Sequence, residues 1–205
     1  MPSLYLDSFQ LQSWRIDAGD STHNLKYNLN EDSIVIDLGG YTGVWIQQII
    51  EKYNCNVYVI EPLKEFYDIL VSKFESNSKV HILNVGVATE DKEGVIYLGD
   101  DSSSSNVETE TAIKVELRTI NSILREWGLK EVDLLQVNIE GDEYPVVAHM
   151  IETGDIDRFK NIQIQFHLGI EDATSKHEKI CKDLEAREFK VKYSYPFVWE
   201  GWTKE

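Results

Sequence analysis

Val35-Ile36-Asp37-Leu38-Gly39-Gly40-Tyr41-Thr42-Gly43, followed by Val59-Ile60-Glu61-Pro62, decides the fold of this chain. An apolar run ends in an acid, a glycine-rich turn leads into helical spacing, and a second apolar run ends in another acid. Glycine lets a backbone turn tightly and lie close to a ligand. Glu61 stands 22 positions after Gly39, about the distance at which a Rossmann-like site places the carboxylate that hydrogen-bonds a ribose. The pattern points to a nucleoside-containing cofactor above the ends of two adjacent parallel strands. The alternative is that these are ordinary strand-to-helix glycines.

A dinucleotide fingerprint requires Gly-x-Gly-x-x-Gly, whose second glycine makes room for a pyrophosphate. Here Tyr41 and Thr42 stand two places after Gly39 and Gly40, so the fingerprint fails. This argues against a nicotinamide-dependent oxidoreductase. No phosphate-loop motif of the Gly-x-x-x-x-Gly-Lys-Ser/Thr kind occurs, against a nucleoside triphosphatase. An acid before the turn and an acid ending the next strand suit S-adenosylmethionine, which carries a ribose and no phosphate.

The 205 residues are read as one methyl-donor-binding domain over 31–205, preceded by a strap or lid over 1–30. No stretch of eighteen apolar residues exists, which excludes a membrane-spanning helix. Met1-Pro2-Ser3-Leu4 lacks the basic and apolar regions of a secretory signal. Cys55 and Cys181 are too far apart in sequence to suggest a disulfide framework or a metal motif. A reducing cytoplasm is the expected setting. The net charge of −16 and the scattering of basic residues among acids exclude nucleic acid and anionic membrane as expected partners.

From residue 31 onward apolar runs alternate with helical patterns, as in α/β units around a parallel sheet. Strands are expected at 33–37, 57–60, 80–87, 132–139 and 161–166, with two extra strands at 94–98 and 113–117. The serine-rich loop 99–112 is either a lid over the acceptor or a flexible connection. Trp45, Ile46, Ile49, Ile50 and Tyr53 share one helix face. Pro62 suits the first turn of a helix burying Phe66, Ile69, Leu70 and Phe74. Thr119 is placed to cap a helix that Gly128 stops, and Ser175-x-x-Glu178 reads as a capping box. Residues 189–195 and 197–202 would close the sheet edge. The aromatics Tyr193, Tyr195, Phe197, Trp199 and Trp202 would either stack on a sugar or pack that edge against a helix.

These residues resemble the FkbM-type S-adenosylmethionine-dependent methyltransferases. The resemblance rests on the glycine turn, on Glu61-Pro62, and on Val132-Asp133-Leu134-Leu135-Gln136-Val137-Asn138-Ile139-Glu140-Gly141-Asp142-Glu143. Ile162 to His167 and Tyr195 to Glu200 add to it. It covers nearly the whole chain from about Leu25, and Glu140-Gly141-x-Glu143 is its most specific part. It implies a class I methyltransferase fold, a mostly parallel sheet of about seven strands with helices on both faces. It implies that Gly39, Gly40 and Gly43 pass beneath the methionine portion of the cofactor. Glu61, followed by Pro62, would take the ribose hydroxyls, and Asp37 would fix the loop or meet the ammonium group. Asn138 is assigned to the cofactor site as well. The family block commonly reads Lys-x-Asp-x-Glu-Gly. Here amides stand at Gln136 and Asn138, and Asn138 cannot act as a base.

Methyl transfer to a hydroxyl needs alignment in a dry pocket and a base for the departing proton. His167 and Glu140 end two expected strands on the cofactor side, so His167 is the expected base, with Glu140 orienting it or the acceptor. The alternative for His167 is a structural hydrogen-bond role. Asn138, Glu140, Glu143 and His167 also offer donors that could hold Mg²⁺ or Ca²⁺, with helix-capping acids as the alternative. No metal site is assigned. The resemblance implies O-methylation of a sugar or other polyhydroxylated small molecule, in the setting of surface-polysaccharide biosynthesis; no residue names the acceptor. The rival is a non-catalytic S-adenosylmethionine-binding or interaction module on the same scaffold.

Overall fold

The computed structural model describes residues 3–98 and 111–204. The loop 99–112, for which a lid and a flexible connection are the two readings, falls almost wholly outside them. The chain opens with helix α1 (Ser3–Ile16) and the single turn α2 (Gly19–Thr22). Next come β1 (Ile34–Leu38), α3 (Val44–Tyr53), β2 (Asn56–Ile60), α4 (Lys64–Phe74) and β3 (Val80–Leu83). A short β4 (Gly86–Val87), β5 (Lys92–Leu98) and β6 (Thr111–Arg118) form a separate three-stranded sheet. The chain then returns through α5 (Ile120–Glu126), β7 (Val132–Val137), α6 (Glu143–Thr153), a 3₁₀ turn (Asp155–Arg158) and β8 (Phe159–Ile164). It ends with α7 (Ala173–Ala186), β9 (Lys190–Tyr195) and β10 (Trp199–Thr203).

The main sheet has seven strands in the order β3-β2-β1-β7-β8-β10-β9. All neighbouring pairs from β3 to β8 are parallel, and β10 runs antiparallel between β8 and β9. The strand order reverses at β1, which pairs with β2 on one side and β7 on the other. Crevices at such switch points are where open α/β sheets bind ligands.

Both faces of the sheet are covered, so its central strands are largely apolar, interrupted at Asp37 in β1, at Asp133 and Gln136 in β7, and at Lys160, Asn161 and Gln163 in β8. On one face Val35, Val57, Val59 and Leu134 pack against Ile46 and Ile49 of α3, Leu70 and Phe74 of α4, and Leu25 and Tyr27 from the N-terminal segment. On the other, Ile36, Leu38, Leu135, Val137, Ile162 and Ile164 meet α5, α6 and α7. Helix α3 has only ten residues, shorter than the roughly 12–15 at which even good isolated helices persist in water. Burial of Ile46 and Ile49, each contributing roughly 1.5–3 kcal/mol, is what holds it in place.

Several local expectations need correction. Ser175 does not cap α7: the helix starts at Ala173, preceded by Asp172 in a left-handed conformation with no side-chain cap bond. Ala173 is drawn into the core, so the start lies three residues earlier than the motif suggests, with Asp172 rather than Ser175 in the N-cap place. Pro62 precedes α4, with Leu63 between it and the first helical residue. Ile69 is 40% exposed rather than buried. The run 80–87 is two strands in two sheets. The final strand is interior, and β9 is the edge, guarded by Lys190 and Lys192 in the manner of edges that resist further pairing. Tyr193 and Trp202 are buried, and Trp14 packs edge-on to Tyr195, with ring centres 5.1 Å apart. These aromatics dock the N-terminal segment on the sheet edge.

Candidate active site

The site is built where β1, β2, β7 and β8 end. After β1 the backbone reverses at Gly39, whose φ of +90° disfavours a side chain, and a Cβ there would lie 2.1 Å from the Asn138 carbonyl oxygen. The turns after β1 and β7 therefore touch, backbone on backbone. Gly39 N donates to the Ile60 carbonyl (2.9 Å) and Asn138 N to that of Leu38 (3.1 Å). Gly40 and Gly43 face inward: the space a Cβ would need is filled by Val59 and Leu70, and by Leu70 and Phe74. They bring α3 close to α4 and β2, while their backbone forms the turn.

Glu61 follows the last residue of β2 and is nearly buried, 4% exposed. Its two oxygens accept from Tyr41 N and Leu63 N, each at 2.9 Å. Burial pushes its pKa up, and those two N–H groups work against the rise. Pro62 follows in the turn, its carbonyl accepting from Asn84 Nδ2 at 3.0 Å. Beside it, Tyr41 and Phe66 pack with ring centroids 4.4 Å apart and planes tilted by 58°, Tyr41 being exposed at the rim. The sequence reading did not assign that pair to the site.

Asp37 lies inside the sheet and accepts from Gln136 Nε2 at 3.0 Å. Burial raises its pKa to about 8, the Gln136 bond opposes the rise, and the Glu61 charge adds to it. Gln163 Nε2 donates to Gln136 Oε1, and Tyr27 OH to Gln163 Oε1 at 2.8 Å. The cross-strand register Asp37↔Gln136↔Gln163 builds this relay. Gln136 is thus an interior hydrogen-bonding residue that links Asp37 to the N-terminal segment.

At the end of β8, the loop before α6 and the start of that helix clamp His167. Glu143 is fully buried, and its Oε1 accepts from His167 N (2.8 Å) and pairs with Nδ1 (3.0 Å). Its Oε2 accepts from Gly141 N at 2.7 Å. Gly141, at φ +109°, has no room for a Cβ because Ile170 fills it. Tyr144 OH donates to the His167 carbonyl at 2.8 Å. A carboxylate can only accept, so the Nδ1 proton belongs on this bond and Nε2 is left as the acceptor. Burial alone would lower the His167 pKa. The hydrogen bond and charge of Glu143, with Glu140 behind them, outweigh it and raise it.

Glu140 is 69% exposed, with its Oε2 3.6 Å from His167 Nε2. The closer orienting group is Glu143, which the sequence reading weighed only as a metal ligand. Its signal was present in Glu140-Gly141-x-Glu143. Glu140 and Glu143 address opposite nitrogens of one ring, so with His167 they do not converge on a single ion as drawn.

A side-chain oxygen of Asn138, Oδ1, is buried and among the described residues lacks a hydrogen-bond partner. A buried acceptor left open at the switch point, beside two acids whose burial disfavours their charge, fits a ligand bearing a ribose and a cationic group. S-Adenosylmethionine has both. Glu61 would hold its ribose, and Asn138 and Asp37 would face its amino-acid end.

The fold and this cradle define a class I methyltransferase domain. A family model described as the methyltransferase FkbM domain matches residues 37–191, and the chain belongs to that family of S-adenosylmethionine-dependent methyltransferases. No curated protein matches it in sequence. Among solved structures it is similar to a candidate rRNA methylase from Clostridium thermocellum, at 11% identity and a TM-score of 0.54, over 93% of this chain and 97% of the other. It is also similar to the METTL16 methyltransferase domain (12% identity, TM-score 0.51, 84% of this chain). The chain spans only 60% of that domain's length. A fibrillarin pre-rRNA processing protein from Methanococcus jannaschii aligns at 15% identity and a TM-score of 0.50, over 85% of this chain and 67% of its own. At such identities these likenesses concern the fold.

Proposed function

We propose that this domain O-methylates a hydroxyl of a sugar or other polyhydroxylated small molecule, in the setting of surface-polysaccharide biosynthesis. What supports the reading is the His167–Glu143 pair near the carboxyl end of the sheet, in which a neutral ring that donates from Nδ1 keeps Nε2 as its acceptor. Bound S-adenosylmethionine would supply an electrophilic methyl group. Glu61, the Gly39 turn and Asn138 would hold and orient it, and His167 Nε2 would take the proton of the acceptor hydroxyl as the oxygen becomes a nucleophile. The exposed Glu140 carboxylate is available to accept a hydrogen bond from a neighbouring hydroxyl. The non-catalytic alternative rested on the amides at Gln136 and Asn138. Gln136 is engaged in the interior relay, so an amide there removes no group from the reaction.

The test uses methyl-labelled S-adenosylmethionine and a panel of sugars and nucleotide sugars, with His167→Ala beside wild type. The variant is expected to bind S-adenosylhomocysteine as wild type does in calorimetry and to lose roughly 10²–10⁴ in turnover. Turnover within a factor of a few of wild type would remove His167 from the chemistry. Binding without product across the panel would favour the non-catalytic module.

A further inference from the structure

A second cluster lies away from the cofactor cradle, where α7 crosses β10. His177 and Cys181 are one helical turn apart on α7 and so share a face. Glu200 reaches them from β10 and is 2% exposed. His177 Nε2 is 3.0 Å from Glu200 Oε2 and 3.4 Å from Cys181 Sγ, which is 3.8 Å from the same Glu200 oxygen. Among the described residues, this is the group of three acid, imidazole or thiol side chains whose donor atoms converge within 4.8 Å.

We propose that His177, Cys181 and Glu200 bind one divalent transition ion, with Zn²⁺ the best match. Tetrahedral Zn²⁺ with ordinary Zn–S, Zn–N and Zn–O bonds has N···O, S···N and S···O separations of about 3.4, 3.6 and 3.6 Å. The three observed separations each lie within about 0.4 Å of these, so small side-chain shifts bring the donors to bonding distance. A thiolate with an imidazole selects Zn²⁺ over Mg²⁺ or Ca²⁺, which prefer all-oxygen sites.

The surroundings hold the ligands in place as outer-shell partners do in metal sites. Ser194 Oγ donates to the other Glu200 oxygen at 2.9 Å. Phe166 and Phe197 flank the His177 ring, each with its centroid 4.9 Å away. Cys181 is half-buried, leaving a route for the ion. Three protein donors leave one coordination position for water. An ion here would join α7 to the last strand beside Phe166, one residue from His167. The sequence reading missed this because two cysteines far apart carry no motif. The spacing that mattered was His177-x-x-x-Cys181 on a helix, and its third member comes from a distant strand.

The probe is Co²⁺ added to the metal-stripped full chain, because cobalt–thiolate bonding gives a near-ultraviolet charge-transfer band that oxygen and nitrogen ligands do not. One equivalent of Co²⁺ should produce the band, and one equivalent of Zn²⁺ should displace it. Cys181→Ser should abolish the band, and Ser194→Ala should weaken Co²⁺ binding roughly 10–100-fold. Circular dichroism identifies variants that remain folded, and should Cys181→Ser unfold, loss of the band in His177→Gln serves instead. Natively folded wild type that gives no band would overturn the site. So would a band that survives in Cys181→Ser, since the thiolate would then be Cys55.

Discussion

His167 is worth most as a base when Nδ1 is held and Nε2 is free, and Glu143 does the holding. The raised His167 pKa has a defined consequence. Below it the ring is an imidazolium and cannot take a proton, so the acidic limb of the rate profile should lie above the ordinary histidine value of about 6.5. Replacing Glu143 by Gln removes the charge and leaves burial, which acts in the opposite direction. The acidic limb of Glu143→Gln should therefore move to lower pH, with a reduced plateau because the ring is less firmly oriented. Stability follows the same linkage. A raised folded-state pKa contributes stability that is complete below the unfolded value and lost as pH rises through the folded one. The stability gap between wild type and Glu143→Gln should thus narrow above that point. An acidic limb in the same place for both proteins would show that Glu143 does not tune the base. Asp37, Glu61 and His167 were legible because each follows or ends an apolar run. The role of Glu143 was less so, because two of its three donors are backbone N–H groups that a loop brings together only after folding.

Helix starts show how far local sequence carries at the scale of an element. Thr119 and Ser175 both look like caps in the sequence, and the structure separates them. Thr119 Oγ1 accepts from Ser122 N at 3.2 Å, whereas Ser175 lies inside the first turn of α7. Thr119→Ala should cost about 1 kcal/mol in denaturant unfolding, the usual loss for a cap. Ser175→Ala should cost nothing or stabilise slightly, since Ala is the better helix former. A loss at Ser175 equal to that at Thr119 would contradict the helix start seen here. The same contrast runs through the fold. Strands β1, β2 and β7 were legible because a sheet covered on both faces demands largely apolar strands, even where Asp37 or Gln136 interrupts one. The split of 80–87 was not, because leaving one sheet for another depends on partners distant in sequence. Helices α1 and α2 gave no clear periodicity, and the described core contacts of this segment centre on Trp14 rather than on a continuous apolar stripe.

Charge becomes decisive only for the molecule as a whole. Three proteins of similar fold are a candidate rRNA methylase, a fibrillarin described as a pre-rRNA processing protein, and the METTL16 domain. A shared fold does not carry a substrate with it. This chain has 36 acidic residues against 20 lysines and arginines. Several of those cations are already matched to acids: Arg118 to Glu126, Arg187 and Lys204 to Asp157, and Lys160 to Asp133. Binding a phosphate backbone gains its free energy from counterion release, which requires clustered cations free to meet the phosphates. A net negative field that would oppose RNA binding would have little effect on an uncharged glycan. Titrating a fluorescently labelled structured RNA into the protein should therefore give no anisotropy change at protein concentrations up to about 10⁻⁴ M in physiological salt, the weak end of ordinary non-specific binding. Methylation of a neutral sugar should at the same time change little between low and physiological ionic strength, where charge-steered encounters slow steeply. Micromolar RNA binding that collapses as salt rises would mean that a basic surface has formed despite the net charge, and the small-molecule acceptor would have to be given up.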